Sequence, residues 1–268
     1  MEFKNDLSLI RMPSKIKYQL IGTKFPGSND IYFRSKQKEL AEQYAGARLF
    51  LVETEMSDKG HWFEDSEDEI ANNAFMLTFR GYLYEAALFY YNVVVDLSWT
   101  MTYTAIEYAC SLKGKRVNLS GIQPMDAATE MLRKAENNVT SPTAEENPFG
   151  YLKSMIPEFS EVIDYIVEFW NTYGTSAIRK KYNYLKHKGK PKYEELDKLD
   201  NSKFFSAYVE CCGNMDEMAT CSDDVMYKYS LEEAISELKE FDDEMLFPYI
   251  EKLINMIEAN LNPSPMAT

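Results

Sequence analysis

The residues best able to do chemistry in this chain stand together between positions 179 and 192, in the run RKKYNYLKHKGKPK. It holds seven Lys or Arg and no acid. Asn183 and His187 are four apart, so a helix puts them on one face, and Arg179 lies one turn earlier. A histidine flanked by Lys186 and Lys188 is suited to exchanging protons beside a bound anion. The same residues also have a plainer origin, because a helix C-terminus favours cations through its dipole.

A second set is acidic. Glu85, Asp96 and Glu107 are spaced by eleven and eleven residues, about three helical turns each, so they share a face. Phe89, Asn92, Trp99 and Tyr103 follow the same stripe, between strongly apolar neighbours. Such acids either line a solvated face or sit half-buried and need cationic partners, for which the basic tract is the obvious source.

Metal chemistry has little support. A di-iron bundle needs Glu-x-x-His on two helices, and the two histidines, His61 and His187, do not supply it. Glu240-x-x-Asp243 is one fragment of a magnesium carboxylate cluster, without a second. Cys211, Cys212 and Cys221 lack the paired spacing of a zinc site, and Cys110 falls in an apolar helical pattern. No metal and no cofactor is expected.

The elements that must position these residues are helical. Residues 34–52 are rich in helix formers. Residues 67–113 contain no Pro and only Gly81, which predicts one long helix or two with a kink near that glycine. Further helices are expected from Asp126 to about Asn138, over 149–172, and from Ser176 to His187, where Gly189 and Pro191 stop the last of these. Segments FFSAYVECC and DVMYKYS, within 191–229, suit short strands or coil. Ser230 with Glu233 is a capping-box start for a final helix to about Asn260, with Pro248 as a kink point. The expected fold class is therefore all-α: a single domain over 1–268, a bundle of five or six helices with irregular or short-strand insertions.

Composition agrees. The 268 residues are 45% hydrophobic and 14% aromatic, enough for a core. The net charge of −14 argues against a protein that coats nucleic acid with its whole surface. That value averages a +7 tract with a −21 remainder, and residues 193–268 alone carry −13. The N-terminus does not have a signal-peptide pattern, and the longest apolar run, AALFYYNVVV, is far short of the roughly 20 residues of a membrane span. A cytoplasmic chain with no membrane partner is expected.

The segment YNYLKHKGKP resembles the signature of HEPN domains, helical bundles found in many prokaryotic toxin–antitoxin and defence systems. Asn183 and His187 match the polar residue and histidine of that motif. Tyr182 stands where the strict motif has its Arg, so either Arg179 serves from one turn away or the catalytic Arg is missing. The helix Asp96 to Gly114 is similar to the one that packs on the motif. The resemblance implies a HEPN-like core over about 65–260 with an N-terminal extension, 1–64. It implies a metal-independent endoribonuclease in which His187 moves protons and Arg179 stabilises the phosphorane, with Asn183 placed to orient either His187 or a phosphate oxygen. One histidine is not enough for both proton transfers, so a homodimer that pairs two copies of His187 is implied, with an antitoxin or regulatory protein as a further partner. Lys180, Lys181, Lys186, Lys188 and Lys190 would then line an RNA groove, with Tyr182 stacking on bases and Glu85, Asp96 and Glu107 as supporting carboxylates. Two alternatives stand beside this: a non-catalytic HEPN-like module binding RNA, nucleotide or a partner protein, and an unrelated acidic helical interaction protein.

Overall fold

The computed structural model describes residues 28–55, 69–112, 153, 157–200 and 227–261. The fold is all-α, with α1 (Ser28–Glu53), α2 (Glu69–Leu112), α3 (Ser160–Tyr173), α4 (Ala177–Lys188) and α5 (Glu194–Asp200). A sixth helix, α6, runs Leu231–Glu240, Phe241–Leu246 and Phe247–Leu261, its middle part a π segment. Two strands of two residues each, β1 (Lys192–Tyr193) and β2 (Lys228–Tyr229), pair in parallel with Tyr193 opposite Tyr229. The strand expected in DVMYKYS is this second one. The helix expected from Asp126 to about Asn138, the segment FFSAYVECC and Cys211, Cys212 and Cys221 lie outside the described residues.

Helix α2 is the spine, about 66 Å long at 1.5 Å per residue. Residues 98–106 are buried all round, which a surface helix never is. Its buried hydroxyls are satisfied locally: Ser98 donates to the Val95 carbonyl at 2.6 Å and Thr102 to that of Ser98 at 2.9 Å. Leu40, Tyr44, Ala47 and Leu51 of α1 join the same core as Leu88, Tyr91 and Val95 of α2 and Ile250 and Leu253 of α6.

Of the two arrangements expected for 67–113, the single helix is observed, and Gly81 serves as a packing notch within it. A Cβ built there meets the Tyr193 ring at 2.6 Å, closer than real contacts allow. The Tyr193 ring is buried, and its hydroxyl donates to the Glu85 carboxylate at 2.8 Å, so it cannot easily retreat. Gly81→Ala is therefore expected to lower stability by about 1–3 kcal/mol through overpacking. This should show as a lower urea midpoint, despite the roughly 1 kcal/mol that alanine adds in a helix.

The start of α6 follows the capping pattern only in part. Ser230 Oγ accepts from the Glu233 N–H at 3.3 Å, as expected. The remaining first-turn donors go to Glu195 of α5, which accepts from the Ser230 hydroxyl at 2.6 Å and from the Leu231 N–H at 2.9 Å. Near Pro248 the helix irregularity takes the form of the π segment, where the Phe247 N–H reaches the Asp242 carbonyl five residues back.

Candidate nucleic-acid interface

Helix α4 carries the basic tract. Its first turn is capped by Ser176, whose Oγ accepts from the Arg179 N–H at 3.2 Å. It stops at Gly189, whose φ of 106° lies in the region that favours glycine. Ile178, Lys181 and Tyr182, with Leu185 partly covered, form its inward face at i, i+3, i+4 and i+7. Lys180, Asn183, Lys186, His187 and Lys188 are exposed on the other side. Arg179, Asn183 and His187 follow one another at intervals of four, Asn183 and His187 on the solvent side and Arg179 half-buried at its edge.

Arg179 is the best-held member of that line. Its guanidinium lies 5.0 Å from the Trp170 ring centroid, 5.3 Å from that of Tyr182 and 5.7 Å from that of Tyr173. Its Nη1 donates to Asn92 Oδ1 at 3.4 Å. The same Asn92 oxygen accepts from the Tyr173 hydroxyl, and the Asn92 amide donates to the Leu88 carbonyl at 2.7 Å. Asn92 is fully buried in α2, so this network joins α2, α3 and α4 at one point. Burial pushes the Tyr173 hydroxyl up, out of its usual range, against the opposing charge of Arg179. Asn92→Leu strands that hydroxyl and is expected to lower stability by about 1–3 kcal/mol, measured by urea titration.

The lysines divide. Lys180, Lys186 and Lys188 reach solvent, and Lys186 Nζ lies 5.8 Å from the Tyr182 ring. Lys181 does not: it is buried, ion-paired with Glu237 of α6 and 4.9 Å from the Tyr229 ring. Lys190 pairs with Glu85 at 3.8 Å and lies 3.8 Å from the Tyr82 ring. Tyr182 is buried between Arg179 and Phe89, so its ring is not the stacking surface expected of it. Both corrections have one cause: positions 181 and 182 fall on the apolar face of α4 and must point inward.

The supporting carboxylates are brought to the tract unevenly. Glu85 is half-buried and accepts from Tyr193 while pairing with Lys190. Asp96 is half-buried, close enough to Tyr173 to act on its hydroxyl electrostatically. Glu107 lies on α2, and its side chain is outside the described residues. Among the described residues no His, Cys, Asp or Glu group could hold a metal ion, and no helix is long and apolar enough to cross a membrane.

Sequence reasoning missed the rings that hold Arg179. Asn92 was the available signal, since an amide inside AALFYYNVVV has to find partners once it is buried. The chain matches no family model, no curated protein and no solved structure.

Proposed function

We propose that this chain is a HEPN-like helical protein that binds RNA on the solvent face of α4 and, as a two-fold pair, cleaves it without a metal. The observation that carries the reading is the line Arg179, Asn183, His187 at intervals of four along α4, with Asn183 and His187 exposed and the half-buried Arg179 guanidinium anchored by Asn92 and three rings. In the reaction the 2′-oxygen bonds to phosphorus as the bond to the 5′-oxygen breaks. One copy of His187 takes the 2′-hydroxyl proton, and the copy from the paired chain gives a proton to the departing 5′-oxygen. Arg179 offsets the charge on the phosphorane, and Asn183 orients a phosphate oxygen. Lys180, Lys186 and Lys188 hold the RNA backbone. An antitoxin or regulatory protein that restrains the activity belongs to the same reading.

One observation favours a second reading, a non-catalytic RNA-binding module. The Arg179 guanidinium is engaged inside the protein, and the position where the strict motif has Arg is the buried Tyr182. Labelled single-stranded RNA incubated in EDTA separates the two. Cleavage that disappears in His187→Ala supports the nuclease. Retention without cleavage, weakened by Lys186→Glu, supports the module.

A further inference from the structure

We propose that Phe89 and Tyr82, two exposed rings on α2, form a stacking platform for unpaired bases beside the α4 face. The inference rests on the RNA-binding reading above and adds to it the part of the RNA recognised: bases of a single strand.

Helix α2 buries Tyr84, Tyr91, Trp99 and Tyr103 but leaves Phe75 and Tyr82 56% and Phe89 49% exposed. Seven residues apart, Tyr82 and Phe89 lie on one side of the helix, about 10.5 Å from each other along its axis. Each adjoins the basic tract. Lys190 Nζ is 3.8 Å from the Tyr82 ring centroid. The Phe89 ring is 6.3 Å from that of Tyr182, over which Lys186 sits at 5.8 Å. Rings and cations therefore alternate across one patch that spans two helices.

Charge decides the occupant. Lys190 lies over the Tyr82 ring and Lys186 over the Tyr182 ring that meets Phe89, which favours a polyanion carrying flat groups as the occupant. Glu85, between the two rings in sequence, is offset by Lys190 at 3.8 Å and by the Tyr193 hydroxyl at 2.8 Å. Asp96, seven residues beyond Phe89, puts negative charge past that end of the pair of rings. Single-stranded RNA supplies both needs, phosphates for the lysines and unpaired bases for the rings.

The test uses the full chain and two probes of equal length, an oligouridylate and the same ribose–phosphate backbone without bases. Stacking predicts tighter binding of the oligouridylate. Phe89→Ala and Tyr82→Ala should each weaken it by about 5- to 150-fold and leave the base-free probe unaffected. Lys186→Glu with Lys188→Glu should weaken both probes. Equal affinity for the two probes in the native chain, with the lysine effect intact, overturns the stacking inference alone. Loss of neither probe in the lysine variant overturns the RNA-binding reading beneath it. If Phe89→Ala instead turns a dimer into a monomer in sedimentation and affects both probes equally, the patch joins two chains and the inference is overturned.

Discussion

Arg48→Met is expected to lower the stability of this protein by about 3–5 kcal/mol at neutral pH, as removing one partner of a buried ion pair does. Asp242, in the π segment of α6, is completely buried. It accepts from the Tyr44 hydroxyl at 2.7 Å and is ion-paired with Arg48, both from α1. Without Arg48 a buried carboxylate would be left with neutral donors, the Tyr44 hydroxyl among them. Burial already holds Asp242 above the usual carboxylate range, against the pull of Tyr44 and Arg48. A carboxyl raised in the folded state adds stability below its unfolded pKa and loses it as pH rises through the folded one. The loss in Arg48→Met should therefore shrink as the pH falls and Asp242 takes up its proton. Urea titrations of both proteins at a series of pH values below 7 would show the two curves converging. Adding Asp242→Asn to the variant should restore part of the stability. A loss under about 1 kcal/mol at pH 7, as for a surface pair, would contradict this account.

On the nuclease reading proposed above, His187→Ala is expected to slow metal-free RNA cleavage by roughly 100- to 10,000-fold, the usual contribution of a positioned acid or base. The fold should be untouched, because His187 is exposed in the last turn of α4 and has no ion pair to a described residue. Circular dichroism and the urea midpoint should match those of the native chain. If two copies act as base and acid, mixing native chain with an excess of His187→Ala should lower activity further than dilution alone, since mixed pairs hold one histidine. Rates proportional to the native chain alone would place both proton transfers in a single subunit.

Much of the architecture was legible from local pattern. A run without Pro, with dense apolar residues on every side, specifies a long buried helix, and α2 is that helix. The Ser176 and Ser230 caps and the Gly189 stop are chemistry of single residues and were equally readable. What was not readable depends on residues distant in sequence. Gly81 looks like a kink until Tyr193, 112 positions away, is known to press against it. Helix α5, EELDKLD, has almost no apolar periodicity. One thing that ties it in place is Glu195, which caps α6 across the chain. Within the tract, the family resemblance sets Lys181 and Tyr182 toward RNA although their spacing with Ile178 and Leu185 turns them inward, and the Glu237 partner of Lys181 was not readable at all. The composition argued against nucleic acid as an average. The structure narrows that argument by pairing Lys181 and Lys190 with acids and leaving Lys180, Lys186 and Lys188 exposed.

The most direct test of the central claim, that this exposed face holds RNA, is the salt dependence of single-stranded RNA affinity. Three phosphate contacts from Lys180, Lys186 and Lys188 predict that log affinity falls against log salt with a slope of roughly −2, or about −0.7 for each contact. Each lysine-to-alanine change should make the slope shallower by about 0.7. No association at low salt, or a slope that ignores these three lysines, would contradict the account.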